Sequence, residues 1–209
     1  MLEHQPKVLL LATTNPGKLA EFKIALKPLV DKGVTLKSLA DVGLAQDVEE
    51  TGTNFKENAL LKAKHYAHLS NLPTIADDGG FVISALNGEP GVKSHRWLGR
   101  DATDEELIQY TLQKTAHLPV ENRQAALELV LCFYDPKNGT TLYETAKIEG
   151  SIALSPTNRR IKGFPYRALL KVKPYDKFYD ELTIDEHQAT NHRLRAFRNL
   201  MPLLTKYYE

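Results

Sequence analysis

Hydrophobic positions in this chain follow two rhythms, short continuous or alternating runs and longer stripes at helical spacing, and their order predicts an α/β protein. Val8-Leu9-Leu10-Leu11-Ala12 is an unbroken apolar run suited to a strand buried on both faces. After the polar turn Thr13-Thr14-Asn15-Pro16-Gly17-Lys18, Leu19, Phe22, Ile24, Ala25 and Leu29 recur at helical spacing, so the opening reads strand, turn, helix. Val34 to Leu39 reads as a second strand, Asp41 to Gly52 as an acidic loop, and Thr53 to Leu69 as a long helix with Phe55, Ala59, Ala63 and Tyr66 on one stripe. Pro73-Thr74-Ile75-Ala76 is β-prone and runs into Asp77-Asp78-Gly79-Gly80, whose glycines permit a sharp turn and so put both acids at a strand end.

Thr103-Asp104-Glu105-Glu106 is a capping box, in which the Thr103 hydroxyl and the Glu106 carboxylate each satisfy a backbone N–H, and it predicts a helix through Leu118. Leu127, Leu129, Leu131 and Phe133 then alternate, and the turn Pro136-Lys137-Asn138-Gly139 leads into a second β-rich run, Thr140 to Leu154, which makes a hairpin. Residues 155–181 are rich in Pro, Arg, Lys and Tyr with weak periodicity. Thr183-Ile184-Asp185-Glu186 is another capping box. Asn191 is positioned to cap a separate final helix bearing Leu194, Phe197 and Met201, which Pro202 should disturb. Without a repeat or linker, the order predicts one domain over residues 1–209, a mixed β-sheet flanked by helices with two lobes around a cleft.

Composition narrows the partners. The 209 residues hold 27 Lys and Arg against 26 Asp and Glu, a net charge of +1, which argues against a protein that coats nucleic acid or lies on a membrane. The balance conceals an asymmetry, net acidic over residues 1–154 and net basic over 155–209. A single cysteine, Cys132, excludes an intrachain disulfide and fits a reducing, cytoplasmic setting; beside Phe133 it reads as a buried, inert thiol. No apolar run reaches the length of a membrane span.

Three features carry chemistry. A turn between a buried strand and a helix presents backbone N–H groups and a positive dipole end to an anion, and Lys18 adds a full charge; the Walker spacing is absent. Glu49-Glu50-Thr51-Gly52 and Asp77-Asp78-Gly79-Gly80 are acid pairs followed by small residues. Carboxylates that converge repel unless a hard cation neutralises them, which points to Mg²⁺ completed by phosphate oxygens and water. His192-Arg193 offers planar donors for a base carbonyl or a phosphate.

Together these segments resemble the Ham1/inosine triphosphate pyrophosphatase family. The resemblance runs through Leu11 to Lys18, Glu49 to Ala59, Ile75 to Gly80, Leu86-Asn87-Gly88-Glu89-Pro90-Gly91-Val92, Ser94-His95-Arg96, Glu181-Leu182-Thr183 and His192-Arg193. It implies an elongated α/β fold with a central nucleotide-binding cleft, commonly a homodimer, and Mg²⁺-dependent hydrolysis of unusual purine nucleoside triphosphates to monophosphate and pyrophosphate. By position, Thr13, Thr14, Asn15 and Lys18 would hold phosphates and Glu49 or Glu50 would bind the metal. Asp78 would be metal ligand and general base supported by Asp77, while His192 and Arg193 would contact the base.

Four departures bear on specificity. Gly79 stands where the family pattern has Ser, which removes a hydroxyl near the phosphates. The family's Phe-Gly-Tyr-Asp is Phe164-Pro165-Tyr166-Arg167 here, so a base-reading carboxylate gives way to a guanidinium that only donates. His187 replaces an expected substrate-binding Lys, and Asn191 a Ser. The expectation is therefore a pyrophosphatase with base preference weakened or redirected toward carbonyl-bearing bases; the alternative is a nucleotide-binding protein with weakened catalysis.

Overall fold

A computed structural model describes residues 7–209. In chain order the elements are β1 (Val8–Ala12), α1 (Pro16–Ala25), α2 (Lys27–Val30), β2 (Thr35–Ser38), α3 (Phe55–Ser70), β3 (Thr74–Ile83), α4 (Asp104–Thr115), β4 (Gln124–Tyr134), β5 (Thr141–Ile152), β6 (Leu170–Val172), β7 (Lys177–Phe178), α5 (Ile184–Thr190) and α6 (His192–Tyr208), joined by loops and short 3₁₀ turns. The strands form one mixed sheet in the order β2-β1-β3-β4-β5-β6-β7. β1 runs parallel to β2 and β3, with Ala12 opposite Ala76, whereas β5, β6 and β7 are antiparallel neighbours. Parallel strands need helical crossovers and antiparallel ones need only turns, which is why helical spacing dominates the first third of the chain and alternation the middle.

The chain divides into two compact units, each with its own core. The first comprises the residues up to Asp78 together with Val130–Thr145 and Arg193–Glu209. There α3 starts at Asn54, whose side chain accepts from the Glu57 N–H, and buries Ala59, Ala63, Tyr66 and Ala67 against Leu10, Ala76 and Cys132. Elsewhere in this unit Phe22 meets Phe197 edge to face at 4.8 Å between centroids. The second unit comprises Gly79–Leu129 and Ala146–His192. Its core gathers Phe81, Ile83, Leu107, Ile108, Tyr166, Leu169, Leu170 and Tyr179.

Both capping boxes form as expected, at Thr103 with Glu106 and at Thr183 with Glu186. Three expectations are corrected. Asp77 and Asp78 lie within β3 rather than at its end, because the strand continues through Gly79 and Gly80. Gly79 is needed for close approach and not for a turn: a Cβ there would sit 2.4 Å from the Glu128 carbonyl oxygen and 2.7 Å from the Leu129 Cβ. Pro202 does not end α6. Its ring is exposed, and the buried stripe Phe197, Leu200, Leu204 and Tyr208 holds the helix on both sides of the missing N–H.

Candidate active site

The first unit concentrates charge at the carboxyl ends of its parallel strands. β1 ends at Ala12, the chain turns, and α1 begins; β3, paired beside β1, has just passed Ala76, so Asp77 arrives next to the start of α1. Asn15 caps α1, its Oδ1 accepting from the Gly17 and Lys18 N–H groups at 2.9 and 3.1 Å, and the Thr13 hydroxyl accepts from the Asn15 N–H at 3.2 Å. This corrects the expected anion cradle. Pro16 has no N–H and Asn15 consumes the next two, so the anion-binding capacity of the turn rests on side chains, chiefly Lys18, with Thr13 half-buried and Thr14 exposed.

Successive residues of a strand face opposite ways, and Asp77 and Asp78 accordingly have separate partners. Asp77 is fully enclosed. Lys18 Nζ lies 3.2 Å from its Oδ1, while Arg193 Nε and Nη2, at the start of α6, donate to its Oδ2 at 3.1 and 3.0 Å. Arg193 also donates through Nη1 to Glu21, one turn beyond Lys18 on α1. Burial opposes ionisation of Asp77, yet Lys18 and Arg193 outweigh it and hold the carboxyl well below the ordinary range. For Arg193, burial is likewise outweighed by Asp77 and Glu21, which raise its pKa; for Lys18 burial wins over Asp77 and lowers it.

On the other face Asp78 Oδ1 sits 3.1 Å from Lys62 Nζ, and the same ammonium lies 2.5 Å from Glu50 Oε1. Burial raises the Asp78 pKa, Lys62 works against it and Glu50, a like charge, adds to it. The Lys62 pKa is raised: burial disfavours its charge, but Asp78 and Glu50 prevail. Helix α3 fixes this grouping from below. Asn58 Oδ1 accepts from the Gly52 N–H at 2.7 Å and Glu57 Oε2 accepts from the Thr53 N–H at 2.7 Å, pinning the loop that follows Glu50. A Cβ on Gly52 would lie 2.5 Å from Asn58 Oδ1. Glu49 is exposed, so of the two candidate ligands it is Glu50 that stands with Asp78.

The second unit holds the remaining candidates. Phe164 is half-buried and lies under the Arg167 guanidinium, 3.7 Å from its ring centroid, and Tyr179 lies 4.7 Å from the same group. The His187 ring meets Tyr179 edge to face at 5.2 Å. His192 is buried. Tyr166 is buried too: its ring stacks on Phe81 and its hydroxyl donates to the Ser94 carbonyl at 2.6 Å, so it serves the core rather than presenting itself to a ligand. Arg193, expected at the base, has its donors engaged by Asp77 and Glu21.

Lys62 and Glu21 were not legible as site residues. For Lys62 the signal was its position one helical turn after Asn58, which puts the two on one face of α3. Among the described residues no group of three or more His, Cys, Asp and Glu side chains forms a metal cage. Two carboxylates gathered on one ammonium nevertheless fit Mg²⁺, which takes one or two protein carboxylates and leaves the other positions to water and phosphate oxygens.

Comparisons with known proteins bear on the family of the chain. A family model describing the Ham1 family matches residues 9–203. A dITP/XTP pyrophosphatase of Bacillus subtilis is 39% identical over 198 residues, covering 95% of this chain and 97% of its own. A dITP/XTP pyrophosphatase of Thermus thermophilus is 43% identical over 191 residues, covering 91% and 88% respectively. A solved HAM1 protein from Coxiella burnetii superposes with a TM-score of 0.84 at 34% identity, covering 95% of this chain and 98% of its own.

Proposed function

This chain belongs to the Ham1 family, and on that premise we propose that it hydrolyses unusual purine nucleoside triphosphates, of the dITP and XTP type, to monophosphate and pyrophosphate. The observation that carries the reading is the convergence of Glu50 and Asp78 on one buried ammonium, that of Lys62. Two carboxylates this close, Asp78 buried and Glu50 half-buried, require a cation; here the chain supplies one of its own, and a metal-bound triphosphate would supply another.

Mg²⁺ bound by Glu50 and Asp78 would neutralise phosphate charge and polarise the anhydride. The chain's own groups do the rest. Lys18 and Lys62 offer ammonium donors to phosphate oxygens, and Asp77 with Arg193 fixes the Lys18 side chain. Asp78, made more basic by burial and by Glu50, takes a proton from the attacking water. The water oxygen bonds to the α-phosphorus, the α–β anhydride bond breaks, and its electron pair leaves on pyrophosphate. Gly79 removes no donor that the fold has room for, since a side chain there would strike the Glu128 backbone.

The deciding experiment is a triphosphate panel assayed separately for pyrophosphate and phosphate, with and without chelator. Pyrophosphate from dITP and XTP, lost on chelation and restored by Mg²⁺, is expected. Nucleotide binding without product would establish the weakened-catalysis alternative, and phosphate release would overturn the reaction assigned. Cys132 is buried, its thiol pushed up to about 12 by burial, which suits a cytoplasmic protein. We further assign a homodimer by family resemblance, for which light scattering giving twice the 23.5 kDa chain mass is the check.

A further inference from the structure

Within the second unit, one buried carboxylate has no hydrogen-bond partner among the described residues. Asp180 sits on the 3₁₀ turn Tyr179–Glu181, is 8% exposed, and both its carboxylate oxygens are buried without a hydrogen-bond partner among the described residues. Its surroundings are tied down. The Asp180 backbone carbonyl accepts from Arg159 Nη1 at 2.9 Å, and the Glu181 carboxylate accepts from the Thr157 hydroxyl. Buried carboxylates are ordinarily hydrogen-bonded, because leaving one unmet forfeits its hydration with no return.

Of the charges that act on it, Arg167, 5% exposed, is the largest and favours the Asp180 anion, as Arg159 and Arg160 also do, while Glu181 opposes it. The faces of Phe164 and Tyr179 hold the guanidinium plane at 3.7 and 4.7 Å, which fixes the direction of its edge donors. The unit thus holds an acceptor-only group within the electrostatic reach of a donor-only group. Position 167 carries a guanidinium, and Asp180, thirteen residues on, supplies the carboxylate.

We infer that Asp180 and Arg167 together read the base, the Asp180 carboxylate accepting from the ring N–H of a lactam edge and Arg167 donating to the carbonyl beside it. The ligand class is a 6-oxopurine such as hypoxanthine or xanthine. Adenine carries a ring acceptor where the lactam carries a donor, so the same pair meets it with donor and acceptor transposed. Burial pushes the Asp180 carboxyl up to about 6, with Arg167 and Arg159 opposing, so at neutral pH it remains mainly an anion able to accept. This inference rests on the nucleotide-hydrolysing function proposed above and adds its specificity determinant.

Two variants and two readouts test it. In Asp180→Leu the ratio of kcat/KM for dITP to that for dATP should fall about tenfold to a hundredfold, chiefly through KM for dITP, with Asp180→Asn intermediate because its amide oxygen still accepts. The melting temperature of Asp180→Leu should stay level or rise, as an unpartnered charge has gone. The double variant Arg167→Asp with Asp180→Ala, which returns the carboxylate to position 167, should recover preference for dITP. An unchanged substrate ratio would overturn the inference, as would equal losses for both substrates with a lowered melting temperature, the signature of a purely structural counter-charge. Calorimetric titration of inosine monophosphate into the parent and Asp180→Leu proteins keeps the two claims apart. Weaker binding in the variant supports Asp180 even where the parent releases no pyrophosphate, equal binding refutes it, and a parent that releases no pyrophosphate refutes the function alone.

Discussion

Two buried aspartates, one in each unit, meet their surroundings in opposite ways. Asp77 is saturated, with both oxygens engaged by Lys18 and Arg193 and the far side of Arg193 closed by Glu21. Asp180 is also buried, but neither of its carboxylate oxygens has a donor among the described residues. Burial pushes both carboxyls toward the neutral form; paired cations reverse that for Asp77 and fail to for Asp180. A saturated buried charge fixes geometry and has no valence left for a ligand, whereas an unsaturated one carries a standing cost that a ligand can remove. In the function proposed above, Asp77 is then scaffold for Lys18, and the groups assigned a change of partner are Asp78 and Asp180.

That distinction gives the largest expected effect at Asp78, beside the scaffold residue in sequence and opposite to it in role. Asp78→Asn keeps size and shape but cannot take a proton, so kcat should fall roughly a thousandfold. Near-unchanged turnover in steady-state assays would remove Asp78 from the role of base and leave the contrast with Asp77 unsupported. The next effect is on stability. Arg193→Leu leaves Asp77 buried and Glu21 half-buried with their shared donor group gone, an expected loss of about 4 kcal/mol in urea denaturation. If the loss were below about 1 kcal/mol, Asp77 would not depend on saturation. Gly79→Ala comes third, costing about 2 kcal/mol by denaturation, because the added Cβ meets backbone at 2.4 Å rather than a movable side chain.

How much of this the sequence disclosed depends on the range over which each feature is determined. Local chemistry read through directly. The two capping boxes, the strand-turn-helix opening and the 124–152 hairpin depend on residues within a few positions of one another, and all are present. The acid pairs read as candidate metal ligands, and what the structure shows is Glu50 and Asp78 gathered on the Lys62 ammonium. Where local and long-range signals disagreed, long-range pairing won. Asp-Asp-Gly-Gly reads as a turn in isolation but is held extended in β3, and Pro202 reads as a stop but lies on the exposed side of α6. Asn15 illustrates the converse, since capping the helix removed the N–H groups counted as an anion cradle. Lys62, Glu21 and the capture of Arg193 by Asp77 span separations of 12 to 172 residues, and Asp180 is conspicuous only through the absence of partners. No periodicity or motif encodes either relation.

The last prediction separates the two aspartates by pH. The Asp180 carboxyl, raised to about 6 by burial against the opposition of Arg167 and Arg159, keeps its proton in the folded protein at pH values where the unfolded chain has released it. The folded state therefore binds more protons than the unfolded state between the ordinary aspartate pKa, about 4, and 6. Through this group stability is greatest below that window and falls as pH rises through it, by about 2 kcal/mol once residual solvent contact is allowed for. Asp77 acts in the opposite sense: its folded-state pKa is depressed, so its contribution is present above the ordinary aspartate value and is lost only as pH falls well below it. Denaturation midpoints of the parent and of Asp180→Asn, compared at pH 5 and pH 7.5, isolate the first term because every other carboxylate is common to both. The variant should gain stability relative to the parent at pH 7.5 and much less at pH 5. A difference independent of pH would mean that Asp180 is ionised, and partnered, throughout.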